Sequence, residues 1–334
     1  MISIKNSRKI KILSLFAAFL VVQIHTCYGV GTVAGLDRVY RIFFLEGLYG
    51  FAVPFFFIVS GFFFMNRFDD TWRWWLHGIR KRLHSLLLPY VVWVLLFIMF
   101  TRFLLGRFEI NFLTDFGITT VTPANGSMWY VKVLFVMCVL VPVFMPLLKF
   151  MKKHQRIVPV VYILGALMLG LPIPGFKTYW RAVFYFTLGM GIYFGIFDYT
   201  IRQLHKIRKW RLSIILLWMM ILTLRFFCLP GFSTFWLYVP LLAVPSIWIL
   251  YDVISRLTRV EISPSVIKIC DLSFFVYCSH EIVIRFINLC PALQCSVCHA
   301  FITGIITFLL CCIIGICLRC YMTKLFIFLS GGRG

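Results

Sequence analysis

The stretch IKILSLFAAFLVVQIHTCYG, Ile10 to Gly29, decides the fold class of this chain. Its 20 residues include one full charge, Lys11 near the start. At about 1.5 Å per helical residue, a run of this length covers the roughly 30 Å hydrocarbon core of a bilayer. It is too long for an excised signal peptide, and no convincing small-residue cleavage site follows it. We therefore interpret it as a retained transmembrane helix.

The composition extends this interpretation to the whole chain. Of the 334 residues, 62% are hydrophobic and 18% aromatic, and only 13% are charged. A soluble domain of this length needs more charge to cover its surface. The sequence thus predicts an all-α integral membrane protein.

Further apolar runs of similar length recur between charged or turn-rich segments, and together they predict ten spans in a single polytopic domain, 1–334. The predicted spans are 10–29, 46–65, 85–105, 129–148, 157–174, 179–197, 211–229, 234–252, 271–289 and 299–319.

The net charge of +22 is distributed in short clusters between these runs. Basic residues concentrate at both ends of the chain and in alternate loops, which is the pattern of the positive-inside rule. Both termini are therefore predicted to be cytoplasmic. Because the basic residues form no continuous face, we do not expect nucleic-acid binding.

Twelve cysteines raise the question of a disulfide or metal centre. Most lie in apolar segments that are predicted to be helical, where a free cysteine acts as a small buried hydrophobic residue. The exception is CSVCH, Cys295 to His299, which matches the c-type haem attachment pattern. A disulfide within Cys290, Cys295 and Cys298 is the other interpretation of this loop. We favour neither, and we predict no metal site.

Ionisable residues at membrane depth are expensive and are functional candidates for that reason. Those in the span interiors are His25, Lys132, His280 and Glu281, whereas Glu46, Arg181, Arg225 and Arg285 lie nearer span ends. Counted from Lys11, His25 is roughly 21 Å along the first helix, in its outer third. A neutral imidazole there can serve as a general base, or can simply hydrogen-bond a neighbouring helix.

The other interior candidates also have two interpretations. Lys132 follows Trp129 and Tyr130, so it is either a site residue or an anchor at the outer interface. His280 and Glu281 are about 100° apart on a helix, which argues that they do not both serve one site directly. Glu281 is expected to pair with Arg285 at the i+4 position.

Two further segments carry specific features. VPFFFIVSGFFF, Val53 to Phe64, contains Pro54 as a potential kink, and Ser60–Gly61 as a close-packing pair. RKRLH, Arg80 to His84, either orients the chain and attracts anionic lipids, or binds the phosphates of a nucleotide-like donor.

Six blocks in order resemble the acyltransferase 3 family over nearly the whole chain. They are LFAAFLVVQIHT, VPFFFIVSGFFF, IRKRLHSLLLPYVVW, MWYVKVLFVM, FFVYCSHEIVI and FLSGGRG. The resemblance implies transfer of an acyl group, usually acetyl from cytoplasmic acetyl-CoA, to hydroxyls of cell-surface glycans or related acceptors.

The resemblance also implies roles for individual residues. His25 matches the proposed catalytic histidine, and Arg82 matches the first Arg of a cytoplasmic Arg-x-x-Arg motif. Lys132 and His280 match later polar positions. The chain departs from the family pattern at Ser14 and Ser85, where many members carry Arg. Lys11 and either Arg80 or Lys81 are expected to supply replacement charge.

These features together predict a membrane acyltransferase with catalytic His25 and Lys132. Arg80, Lys81 and Arg82 are predicted to bind the donor. Residues predicted to line the site are Ser14, Ser60, Glu46, Arg181 and His280. Lys132 is expected to stabilise the oxyanion.

The predicted partners are acyl-CoA as co-substrate, a glycan or lipid-linked sugar as acceptor, and membrane lipids, with no permanently bound cofactor. By resemblance, the expected location is a bacterial inner membrane. One alternative is a transporter or flippase for a lipid-linked or anionic solute, which predicts repeat symmetry that we do not find. The other is a regulatory protein that has lost the chemistry.

Overall fold

The computed structural model describes residues 4–26, 39, 44, 49–66, 68–104, 128–168, 176–206, 210–227, 263–289 and 297–332. Throughout these ranges the regular secondary structure is helical and no strand occurs. Numbered in chain order, the α-helices are α1 Ile4–Thr26, α2 Ala52–Phe64, α3 Trp72–Arg82, α4 Leu88–Met99, α5 Trp129–Val139, α6 Val141–Lys153, α7 Val158–Met168, α8 Phe176–Tyr193, α9 Asp198–Lys206, α10 Trp210–Phe227, α11 Pro264–Cys270, α12 Ser273–Ile287, α13 Val297–Tyr321 and α14 Thr323–Leu329.

A helix lies at every predicted span that the described ranges include, and the span 234–252 lies outside them. Among the described residues, three helices are long and apolar enough to cross a membrane: Arg8–Thr26, Trp72–Arg102 and Ala300–Tyr321. The pair α5 and α6 becomes a fourth if it is one bent span. The all-helical membrane architecture is thus confirmed.

The basic segment Arg80–His84 lies inside a helix, whereas the sequence suggested a loop. Helix α3 continues through a π-helical turn, Leu83–Leu87, directly into α4. The π turn immediately precedes Pro89, which has no N–H to bond the Ser85 carbonyl. A widened turn relieves the clash between the proline ring and that carbonyl, so the helix passes the proline unbroken.

Helices α5 and α6 meet at Leu140 with a bend of 67°. Pro142 is the second residue of α6 and cannot donate to the Cys138 carbonyl four residues before it. The Trp75 indole Nε1–H donates to that carbonyl instead, at 3.2 Å. The proline therefore explains both the bend and this tertiary hydrogen bond.

The chain divides into two compact units. The first comprises Met1–Tyr40, Lys81–Phe135 and Ile254–Gly334, and the second Arg41–Arg80 and Val136–Val253. In the first unit, α1 packs on α12 and α13, while α4 packs on α12 and α14. The buried Trp93 of α4 donates its indole N–H to the Leu329 carbonyl at 3.1 Å, which ties the C-terminal helix to this unit.

The second unit is built on the pair α2 and α8. Gly61 of α2 faces the Phe186 backbone, and Gly189 of α8 faces the Ile58 backbone, so that each helix presents a glycine to the other. A Cβ at either glycine would overlap a carbonyl oxygen of the opposite helix. This confirms the predicted close packing at Gly61 and identifies its partner.

Replacing Gly61 with alanine is therefore expected to destabilise the protein by about 1–3 kcal/mol, because two backbones must separate. Thermal unfolding of the purified protein in detergent measures the effect. Gly165→Ala is the matched control, since its Cβ would meet only the Phe184 side chain at 3.4 Å. Equal melting temperatures for the two variants would contradict this account of the helix pair.

Candidate active site

His25 stands in the last turn of α1 beside two residues of α12. The ligating atoms of His25, His280 and Glu281 all lie within 4.8 Å of one another. We call these three residues the His–His–Glu cluster. All three belong to the first unit, so the packing of α1 on α12 brings the cluster together.

The cluster has a defined internal geometry. The rings of His25 and His280 have centroids 5.0 Å apart and planes inclined at 50°. Nδ1 of His25 is 3.8 Å from a carboxylate oxygen of Glu281, with the two side chains 25% and 19% exposed. At this separation an ion pair forms only when His25 is protonated, and the distance is longer than a hydrogen bond, as catalytic contacts often are without substrate.

The expectation that His280 and Glu281 do not both serve one site is wrong. Their Cα–Cβ directions differ by about 100° on the helix, as successive residues must. His25 approaches from the neighbouring helix α1, and both side chains are long enough to reach its ring. Two side chains that diverge on α12 can therefore both approach a ring that projects from another helix.

Glu281 is held in place from its own helix. Its second carboxylate oxygen accepts a hydrogen bond from Nε of Arg285 at 3.3 Å, which confirms the predicted i+4 pair. The Arg285 guanidinium in turn lies 4.6 Å from the centroid of the Phe97 ring. The carboxylate is thus fixed between Arg285 on one side and His25 on the other.

His280 is fully buried and its tautomer is determined by one contact. Its Nδ1 lies 2.6 Å from the Tyr277 carbonyl oxygen, which can only accept, so Nδ1 carries the proton. The lone pair is then on Nε2, and this nitrogen has no hydrogen-bond partner within the described ranges. His280 therefore offers a buried acceptor at the centre of the cluster.

Lys132 lies in α5, one turn from its beginning at Trp129. In the same helix, the Tyr130 ring packs edge-on against Tyr277 of α12, with centroids 5.6 Å apart. Residues two apart on a helix point about 200° from each other, so Lys132 leaves α5 on a different side from Tyr130. The oxyanion role of Lys132 stays a prediction.

Gln23 is a buried polar residue that the sequence argument did not select. It is two residues before His25, and its amide nitrogen donates to the Phe301 carbonyl of α13 at 3.3 Å. Gly304 leaves room for this amide, because a Cβ there would approach it to about 2.5 Å. The sequence could have identified Gln23 as a candidate, because it is a polar residue within a predicted span and close to His25.

Ser14, at a position where many family members carry Arg, bonds within its own helix. Its hydroxyl donates to the Ile10 carbonyl at 2.8 Å. Lys11, considered as a replacement charge, forms an ion pair with Asp271 at 2.7 Å, linking α1 to the segment between α11 and α12. In this structure Lys11 therefore already has an anionic partner.

The predicted donor-binding residues occupy consecutive positions at the end of α3. Arg80 and Lys81 are exposed and Arg82 is partly buried. Arg80 is the last residue of the second unit in this helix, and Lys81 is the first of the first unit.

The remaining predicted residues are distributed as follows. Ser60 and Arg181 lie in α2 and α8 of the second unit, both partly buried, whereas Glu46 lies outside the described residues. The side chains of the CSVCH segment also lie outside them. Free cysteines are found at Cys138, Cys270, Cys278, Cys311, Cys312, Cys317 and Cys320. The first five are buried, as predicted, whereas Cys317 and Cys320 are exposed.

The arrangement suits proton transfer to and from a hydroxyl. One ring nitrogen of His25 faces a fixed carboxylate, so the other ring nitrogen points away from it and can meet a hydroxyl. The same arrangement of histidine and carboxylate occurs in the known nucleophile–base–carboxylate systems. The part of the cluster at His25 is partly exposed, so a substrate can approach it.

Comparison with known families agrees with this chemistry. The family model described as Acyltransferase domain, Acyl_transf_3, matches residues 9–316, which include the whole cluster, Lys132 and the basic end of α3. No curated protein and no solved structure matches the chain. The match confirms the family resemblance and includes five of the six sequence blocks; FLSGGRG, Phe328 to Gly334, lies beyond it. The chain therefore belongs to the acyltransferase 3 family and is a membrane acyltransferase.

Proposed function

We propose that this protein moves an acetyl group from cytoplasmic acetyl-CoA to a hydroxyl of a cell-surface polysaccharide or a lipid-linked glycan. The observation that carries the proposal is the contact between His25 and Glu281, within a chain that belongs to an acyltransferase family. Family membership also favours this function over the transporter alternative.

His25 acts as the general base in this proposal. Glu281 faces Nδ1 and stabilises the tautomer that carries the proton there, so the lone pair on Nε2 is available to the acceptor. Nε2 takes the hydroxyl proton while the oxygen attacks the thioester carbonyl carbon. As the carbon–sulfur bond breaks, the imidazolium returns the proton to the departing thiolate, and the products are the acetyl ester and free CoA.

A stepwise variant of this route uses His25 as the nucleophile. The imidazole attacks the thioester to form an acyl-histidine and release CoA, and the acceptor hydroxyl then attacks the acyl group. In either route the negative charge on the carbonyl oxygen requires a positive group, and Lys132 is our candidate for it.

The donor phosphates are assigned to Arg80, Lys81 and Arg82. Consecutive residues on a helix point about 100° apart, so these three cations surround the end of α3 and do not form a single row. Such an arrangement suits a donor that carries several phosphate groups. This assignment requires the end of α3 to lie at the cytoplasmic face. We propose it within a ten-span topology that has both termini in the cytoplasm. The proposed location is a bacterial inner membrane.

Replacing Arg82 with glutamine is expected to raise the KM for acetyl-CoA about tenfold and to change kcat little, since it removes binding to a part of the donor that does not react. Steady-state kinetics at varied acetyl-CoA measure both constants. The control is Arg73→Gln, which removes an exposed Arg from the other end of the same helix. A fall in kcat with unchanged KM would contradict the donor assignment.

The function itself is tested by supplying radiolabelled acetyl-CoA to membranes that contain the protein. We expect label in the glycan fraction, in an alkali-labile form as an O-acetyl ester. Membranes without the protein provide the background. Label that remains in acetyl-CoA, with glycan acceptors present, would contradict the proposal.

A further inference from the structure

We propose that the His–His–Glu cluster binds a divalent transition-metal ion of the Zn²⁺ class, and that the bound ion stops acyl transfer. Two packed helices supply its three donor atoms, all within 4.8 Å of one another. The binding stands on these contacts alone. The inhibition rests on the function proposed above, because it requires His25 to be the working base.

The hydrogen bonding of His280 suits a metal ligand. Its Nδ1–H donates to the Tyr277 carbonyl at 2.6 Å, which is the support that metal-binding histidines usually have from a backbone carbonyl. The lone pair on Nε2 is fully buried and has no hydrogen-bond partner in the described part of the chain. A buried acceptor without a partner is destabilising, so binding a cation there recovers free energy.

Glu281 supplies the negative charge that a cation needs at this depth. Arg285 donates to one carboxylate oxygen at 3.3 Å, and the other oxygen faces Nδ1 of His25 at 3.8 Å. Arg285 therefore holds the carboxylate in the orientation that points its second oxygen into the cluster. Metal-ligating carboxylates commonly have a second hydrogen-bonded partner of this kind.

The type of donor atom indicates the class of ion. Two imidazole nitrogens and one carboxylate oxygen suit Zn²⁺ and similar borderline ions. Mg²⁺ and Ca²⁺ require about six or more oxygen ligands, and the cluster contributes only one carboxylate. Three protein ligands leave a fourth position for water.

Binding requires a modest contraction of the cluster. Ligand atoms around a tetrahedral Zn²⁺ are ~3.4 Å apart, so separations of up to 4.8 Å must shorten by up to about 1.4 Å. His25 can make this movement because it lies in the last turn of α1 with its side chain 25% exposed.

Metal binding and base catalysis exclude each other at His25. A metal ion coordinated by Nδ1 of His25 leaves the ring proton on Nε2, so Nε2 has no lone pair with which to accept the hydroxyl proton, and Glu281 is drawn towards the ion. The expected result is loss of acyl transfer while the ion is bound, and full recovery when a chelator removes it.

Binding is tested with the purified full-length protein in detergent, using Co²⁺ as a spectroscopic substitute for Zn²⁺. We expect one equivalent to bind and to give the ligand-field absorption of nitrogen and oxygen ligands, without the charge-transfer band of a thiolate. His280→Ala and Glu281→Gln are each expected to weaken binding by more than about tenfold. His280→Gln is a second variant, because alanine leaves a cavity at this buried position.

His154→Ala is the matched control, since it removes an exposed histidine that lies in the second unit. The inference is overturned if no Co²⁺ binds, if a thiolate band shows that cysteines bind it, or if the cluster variants bind as tightly as His154→Ala. These readouts need no donor or acceptor, so they decide the metal site whether or not the proposed function is correct.

The inhibitory consequence has its own measurement. Zn²⁺ added to the acyl-transfer assay is expected to reduce the rate in parallel with occupancy of the site, and EDTA to restore it. Occupancy without inhibition would overturn this part and would also count against His25 as the base.

Discussion

Replacement of His25 by alanine is expected to reduce acyl transfer by about 10²- to 10⁴-fold, which is the usual contribution of a positioned general base. The fall should appear in kcat, because the acceptor proton then has no base to receive it. If His25 instead forms an acyl-histidine, the loss is at least as large. The measurement is transfer of labelled acetyl to glycan by equal amounts of purified protein.

The control for this variant is again His154→Ala, which changes a histidine of the second unit and should retain the wild-type rate. Helix α1 packs on α12 and α13 and buries Ala18, Val21 and Val22 as well, so His25→Ala is expected to remain folded and inserted, as size-exclusion chromatography will show. Acyl transfer at the wild-type rate by a folded His25→Ala protein would remove His25 from the mechanism.

Replacement of Glu281 by glutamine is expected to lower kcat by about 10²-fold while the KM for acetyl-CoA stays near its wild-type value. The amide has nearly the same shape but no charge, so it no longer favours the tautomer with the proton on Nδ1. The effect should be smaller than that of removing His25, since Glu281 acts through His25.

Asp70→Asn is the matched control for Glu281, because it also converts an ion-paired carboxylate to an amide. Asp70 pairs with Lys149 in the second unit and is exposed. If both variants keep full activity, or if Glu281→Gln raises only the KM for the donor, Glu281 does not position His25.

The helices of this protein were largely predictable from the sequence, since long apolar runs between charged clusters have few other solutions in a membrane. The apolar runs did not predict how consecutive helices are connected. The helix from Trp72 to Arg102 absorbs its basic segment because a π turn accommodates Pro89, and the bend at Leu140 follows from Pro142. Both features depend on backbone bonding near prolines and not on hydropathy.

The pairing of distant helices was beyond the sequence argument. Gly61 suggested close packing, but only the structure shows that it faces the Phe186 backbone of α8, while Gly189 of that helix faces Ile58. Hydrophobic periodicity shows which side of a helix is buried without showing which helix covers it.

The candidate site was predicted only in part, because the sequence did not show that α1 packs on α12. His25 and His280 stood out because an imidazole at membrane depth is unusual. Glu281 was excluded from a shared site by its angle on α12, which is valid within one helix and fails when a third side chain arrives from α1. In our proposal, Glu281 is the carboxylate that orients the partly exposed His25 as the base, beside the buried His280.

The most direct test of the central claim, that His25 and Glu281 act as one unit in acyl transfer, is a double-mutant cycle. It compares the rates of the wild type, His25→Ala, Glu281→Gln and the double variant, with labelled acetyl-CoA and the same glycan acceptor. The account predicts that the double variant is no slower than His25→Ala, because Glu281 has no function without the imidazole that it orients. Independent effects that multiply in the double variant would contradict it.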